Sequence, residues 1–155
     1  MGEILKERIK QRQFKSPAHE AMLNLMVAAA HVRQMVEHTC VEHDLTQAQY
    51  NVLRILRGRH PDGYPRGDIA SRMVDRAPDV TRLIDRLERR ELVERVRTDE
   101  DRRLSITRIT RKGLALLARL DPEIDAIDAR FSAHLSPRDL KTLSRLCEQV
   151  YGLDL

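Results

Sequence analysis

The hydrophobic period of this chain changes abruptly at Leu92, and that change constrains the fold more than any other feature. In "PDVTRLIDRLERREL", residues 78–92, Val80, Leu83, Ile84 and Leu87 fall on one side of a helix. Asp79, Arg82, Asp85, Arg86 and Arg89 fall on the other, so the segment is amphipathic with a 3.6-residue period. Pro78 stands where the first position of a helix tolerates proline. From Leu92 the period is two: "LVERVRT" and "LSITRIT" alternate on either side of the charged stretch "DEDRR", residues 99–103. Two alternating runs around a polar tip predict a β-hairpin. No Asn-Gly pair is present, so its loop is longer than two residues.

Helical patterns surround this unit. From His19 to Glu42, Met22, Leu25, Met26, Ala29, Val32 and Val36 recur at threes and fours. "LTQAQYNVLRIL" starts with Thr46 and Gln49 in capping-box spacing and carries Val52, Leu53, Ile55 and Leu56. It runs out at "PDGYP", which reads as a loop, and a short helix follows in "RGDIASRMV". Beyond the hairpin, Thr110 caps a long helix whose Leu117, Leu120, Ile124, Ile127 and Phe131 form a packing seam. Pro122 should kink or restart that helix, with Asp121 as the cap of a restart. "SPRD", residues 136–139, opens a final helix striped by Leu140, Leu143, Leu146 and Val150. The expected fold class is mainly α with a small β-hairpin wing. The expected organisation is a charged N-terminal extension over 1–15, a long helix over 16–44, a winged helix-turn-helix over 45–110 and C-terminal helices over 111–155.

The order helix, short helix, turn, helix, hairpin is that of a winged helix-turn-helix, in which the second helix of the motif enters the major groove of DNA. Asp79, Thr81, Arg82 and Arg86 are the candidates to meet base edges there. Arginine matches the two acceptors of guanine, and aspartate accepts from cytosine. Composition supports this partner through the kind of cation more than through net charge, which is only +4. The chain has 23 Arg against five Lys, and residues 66–111 hold 13 Arg and no Lys. Arginine forks onto phosphate and guanine where lysine acts as a point charge. Arg72, Arg76, Arg95 and Arg97 are candidate phosphate contacts or solvated surface cations, and the sequence leaves both readings open. Ten acids share the same span, so affinity should come from placed arginines and not from a general basic field. Asp85 and Arg89, four apart, are expected to pair on the helix surface. A thin hairpin tipped by Arg102 and Arg103 suits a narrow, electronegative minor groove. One of these arginines enters the groove and the other holds the wing, and Asp99 or Asp101 pairs with one of them to stiffen it.

"APDVTRLIDRLERRELVERVRTDEDRRLSITRITRKG" closely resembles the MarR family of bacterial transcriptional regulators. The recognition-helix pattern "VTRLIDRLE", the "LVER" lead into the wing, the Asp99-x-Asp101-Arg102-Arg103 wing and the "T-x-x-G" helix start carry the likeness. "DLTQAQYNVLRIL" is similar to the family's preceding helix, and the resemblance covers about residues 20–150. It implies a triangular homodimer based on interlaced terminal helices, bound to a pseudopalindromic operator. It also implies repression relieved by a small-molecule effector whose identity the sequence does not give. Tyr50, Tyr64, His31 and Arg54 are candidates to line the effector crevice. Two positions depart from the family's pattern: Ala77 replaces a common Ser or Thr, and Glu91 a common Gly at the turn into the wing.

"EHTCVEHD" offers an alternative, a metal-responsive regulator using Glu37, His38, Cys40, Glu42 and His43. These are metal-ligand types at helical spacing. The place is also a helix end, where histidine is favoured without any metal, and no metal site is assigned. The dipole at that end should raise the thiol pKa of Cys40, which argues against a redox switch; Cys147 is expected to pack. A winged-helix protein–protein or RNA-binding module is the other alternative, but the four arginines Arg82, Arg86, Arg89 and Arg90 favour double-stranded DNA. Six scattered glycines form no phosphate-cradling loop, so the chain is not expected to be an enzyme or to require a cofactor. No run approaches the roughly 20 apolar residues of a membrane span, and the two cysteines suit a reduced cytoplasm.

Overall fold

The computed structural model describes residues 2–75, 79–97 and 105–152. In chain order the elements are α1 (Glu3–Ile9), α2 (Pro17–Glu42), α3 (Gln47–Arg57), β1 (Tyr64–Pro65), α4 (Arg66–Arg72), α5 (Val80–Arg89), β2 (Val93–Arg97), β3 (Ser105–Ile109), α6 (Arg111–Ser132) and α7 (Pro137–Tyr151).

Most boundaries follow from local chemistry. Ser16, with Pro17 behind it, accepts from the His19 amide and starts α2. Thr46 and Gln49 form the reciprocal capping box of α3. Ser136 and Asp139 repeat it at α7. At α5 the cap is Asp79, whose carboxylate accepts from the Arg82 amide at 3.3 Å, so the helix begins at Val80 and not at Pro78. Pro78 itself lies outside the described residues.

The predicted hairpin is present, with Val93 opposite Ile109, Arg95 opposite Thr107 and Arg97 opposite Ser105. It is part of a three-stranded sheet ordered β1-β3-β2. The third strand is two residues from the "PDGYP" loop, pairing Tyr64 with Thr107 and Pro65 with Ile106. Two residues are too short for an alternation to show in sequence, and a proline without an N–H fits an edge strand. Gly63 (φ 79°) lets the chain turn there: a Cβ would stand 2.2 Å from the Thr107 carbonyl oxygen.

Two further expectations change. Helix α6 runs unbroken from Arg111 to Ser132 through Pro122. Asp121 does not cap a restart; its two carboxylate oxygens accept from Arg57 of α3 at 2.8 and 2.9 Å. The N-terminal extension contains helix α1, seven residues long, with Leu5 buried. A segment that short offers no periodicity to read.

One core joins the end of α2 (Cys40), the turn after it (Leu45), α3 (Val52, Leu53, Leu56), α4 (Ile69), α5 (Leu83, Ile84, Leu87), the sheet (Val93, Ile109) and the start of α6 (Leu116, Leu117, Leu120). Helices α2 and α7 stand largely outside it. Of the 26 residues of α2 only Thr39 and Cys40 are buried, and α7 buries none. No helix among the described residues is long and apolar enough to cross a membrane.

Candidate nucleic-acid interface and effector cleft

Helix α5 is fixed by its apolar face, Val80, Leu83, Ile84 and Leu87, all buried. The opposite face therefore stands outward, with Arg82, Arg86 and Arg89 exposed and Thr81 half-buried. The Arg82 side chain is 79% exposed, with its Nε 3.2 Å from the Asp79 carboxylate. Asp79 thus works on its own helix, capping it and steering Arg82. Thr81 accepts a hydrogen bond from Arg66 of α4 at 3.1 Å. Arg66 is a cation beside the outer face of α5 that the sequence pattern did not mark, because α4 is too short for its faces to be assigned from periodicity.

The Asp85 carboxylate does not pair with Arg89, which donates to the Asp85 carbonyl oxygen at 3.3 Å. The Asp85 carboxylate is taken by Arg95 of β2, whose other nitrogen engages Glu88. The hydrogen bond that Arg95 donates to Asp85 raises the Arg95 pKa above its ordinary value, against the cost of burial, with Glu88 adding to the effect. Arg95 is therefore a brace between α5 and the wing. Among the expected phosphate contacts, Arg72 caps the Asp68 carbonyl at 2.9 Å and lies over the Tyr64 ring at 4.3 Å. Arg97 is exposed at the outer end of the β2–β3 ladder. Arg76, Asp99, Asp101, Arg102 and Arg103 lie outside the described residues.

The lead into the wing is held by a short set of contacts. Glu91 sits at φ 60°, a left-handed conformation that glycine adopts without a steric cost, which explains why Gly is the common residue there. Its side chain meets Lys112 at 2.9 Å, and that ammonium lowers the Glu91 pKa. Thr110 donates to the Glu91 carbonyl and accepts from the Gly113 amide, so "T-x-x-G" ties the start of α6 to the wing.

A cleft of about 600 Å³ opens between α2, α3, the chain leaving α4, and α6. Val32 and Val36 of α2, Met73 and Val74, and Ile124, Ile127 and Phe131 of α6 make its apolar walls. The seam expected on α6 is thus divided: Leu117 and Leu120 are buried in the core, while its last three residues face the cleft. Tyr50, Asn51, Arg54, Arg33, Glu37 and Asp128 bring polar groups. Of the four residues expected to line such a crevice, Tyr50 and Arg54 do so; Tyr64 and His31 do not. Burial raises the Tyr50 phenol pKa, partly opposed by Arg54.

The residues of "EHTCVEH" do not converge. Cys40 is buried, and desolvation first, then Glu37, pushes its thiol pKa up to about 11. The thiol is thus raised, as expected, but chiefly by burial. His43 turns to Glu123 of α6 at 2.8 Å, and His38 pairs with Glu42 at 3.5 Å. Among the described residues no group of three or more His, Cys, Asp or Glu could hold a metal ion.

An amphipathic second helix, a braced β-wing and long flanking helices define a winged-helix protein. The pattern of the MarR family matches residues 45–105. A MarR transcription factor from Planctomyces limnophilus has a crystal structure 39% identical to this chain. The match covers 88% of this chain and 99% of that one, with a TM-score of 0.67. The homoprotocatechuate degradative operon repressor of Escherichia coli is 28% identical over 72% of this chain and 74% of its own. The MepR–DNA complex of S. aureus shares the fold at 21% identity, with a TM-score of 0.76 over 90% of this chain and 98% of that one. The chain belongs to the MarR family of transcriptional regulators.

Proposed function

We propose that this regulator acts as a homodimer on a pseudopalindromic double-stranded DNA operator, repressing transcription until a small-molecule effector occupies the cleft. The carrying observation is α5: one face is locked into the core while Thr81, Arg82 and Arg86 stand on the other. In this reading Arg82 and Arg86 read bases, Arg66, Arg72 and Arg97 contact phosphates, and Asp79 orients Arg82. Arg76 belongs with the phosphate contacts. Arg102 and Arg103 reach the minor groove and hold the wing, with Asp99 and Asp101 stiffening it. The relatives' names point the same way, one a repressor and one solved with DNA. The cleft supports the effector part, because its walls join the helices flanking the winged unit to the segment leading into α5.

Selection of bound duplexes from a random pool, at fixed salt, tests the reading. Recovery of an inverted repeat with half-sites about one helical turn apart is the expected result. Arg82→Ala should then lose roughly 1–3 kcal/mol on the selected site and relax its sequence preference. Uniform weakening on every sequence would make Arg82 a phosphate contact, and recovery of no duplex at all would remove DNA as the partner.

A further inference from the structure

Asparagine is a weak helix former, because its amide competes for backbone hydrogen bonds. Asn51 nevertheless occupies the middle of α3, between buried Tyr50 and Val52. Its side-chain oxygen accepts from the backbone N–H of Val74 at 2.9 Å, across 23 residues of sequence. Val74 is the first residue beyond the C-cap of α4, so its N–H has left the helical ladder. It stands five residues before Asp79, the cap of the recognition helix.

The same two residues line the cleft. The Val74 side chain is 88% exposed there, a large apolar group with little cover of its own. Ile127 and Phe131 of α6 line the facing wall. A molecule lodged between them gains by covering Val74 and by drawing it toward α6. The Asn51 hydrogen bond resists that movement. Helix α3 is itself held to α6 by Arg57–Asp121, and the Asn51–Val74 hydrogen bond joins that pair of helices to the chain leaving α4.

We propose that Asn51 is a positioning residue for DNA reading, the side chain through which the cleft acts on the recognition helix. This rests on the reading of α5 as the DNA-contacting element. It assigns the switch to one backbone tether, made in the DNA-competent form and lost when the cleft fills. A ligand shifts such an equilibrium only by binding the two forms differently, and cover for Val74 supplies the difference.

The test compares Asn51→Leu, which removes the acceptor at similar size, with Asn51→Asp, which keeps it. Amide hydrogen exchange is measured on the free proteins, and affinity on the duplex selected by wild type. Asn51→Leu is expected to speed exchange at Val74 and through Val80–Arg89. Exchange in α6 and the sedimentation coefficient should stay unchanged, and affinity should fall roughly tenfold, the scale of one hydrogen bond. Asn51→Asp should remain within about twofold of wild type in affinity. Should the leucine variant not fold, Asn51→Ala removes the acceptor without adding bulk and serves the same comparison. Unchanged exchange in α5 after loss of the acceptor overturns the proposal, as does equal weakening by the leucine and aspartate variants. If wild type selects no duplex, the DNA reading fails, and the exchange comparison still decides whether Asn51 holds the recognition helix.

Discussion

At the scale of single residues, Cys40 gives the sharpest consequence of burial. Its side chain is inaccessible and its thiol pKa stands at about 11, against 9.0 for a free thiol. The favoured form in the folded protein is the protonated one. The resulting stability is fully present below pH 9, and is lost as pH rises through 11, because the unfolded chain ionises first. That difference corresponds to roughly 2–3 kcal/mol. Tyr50, also raised by burial, contributes with the same sign at higher pH. Urea denaturation at a series of pH values should show stability falling between pH 9 and 11, with a shallower fall in Cys40→Ala. Identical slopes in the two proteins would show that the thiol is not held in its neutral form. Much at this scale was legible: the caps at Thr46, Thr110 and Ser136, the outward arginines of α5, and the Glu91 departure. The destinations of long side chains were not. Asp85 had a plausible partner four residues away and found Arg95 on β2 instead, because that neighbouring strand offered a guanidinium that also met Glu88.

At the scale of elements, the junction of wing and α6 depends on close backbone approach. A Cβ on Gly113 would stand 2.3 Å from the Leu92 carbonyl oxygen and 2.7 Å from Ile109 Cγ1. The carbonyl belongs to a fixed turn: Leu92 accepts from the Thr110 amide, which precedes α6. Gly113→Ala should therefore cost roughly 2–3 kcal/mol by overpacking. Gly67, in α4, has nothing within 4 Å of the corresponding position. Gly67→Ala should be neutral or gain up to about 1 kcal/mol from helix propensity. Thermal and urea midpoints of the two variants check this; a Gly113→Ala protein as stable as wild type would mean that the junction yields. Pro122 illustrates the limit of reading elements one at a time. Proline forfeits one helical hydrogen bond and strains the turn before it, yet α6 continues. The residues on either side hold it to other elements, Asp121 to Arg57 and Glu123 to His43.

At the scale of the whole molecule, the distribution of burial is uneven in a way that asks for a second copy. Helix α7 has an apolar stripe but no buried residue, and Leu146 is 47% exposed. A helix of 15 residues is marginal in water without packing. Met22, Leu25 and Met26 on α2 are exposed as well. A dimer that interlaces these helices covers both stripes at once. Leu146→Asp is expected to shift the sedimenting species from dimer to monomer and to lose operator binding with it. A variant that stays dimeric would place the interface away from α7. The dimer is proposed from the same stripe that the sequence displays, so the two rest on one physical fact, an apolar face left exposed among the described residues.

By itself the sequence determined the order and kind of the main elements, the capped helix starts, the period change into the wing and the outward arginines of α5. These depend on neighbours within a few residues, where periodicity and capping chemistry act directly. The tertiary structure alone decided what joins distant parts of the chain: β1 as a third strand, the Arg57–Asp121 and His43–Glu123 ties, the Arg95 brace, and the Asn51–Val74 hydrogen bond. Each of these contacts depends on which side chains the packed core brings within reach, and residues on different elements, 7 to 80 apart in sequence, carry no local signal of that meeting.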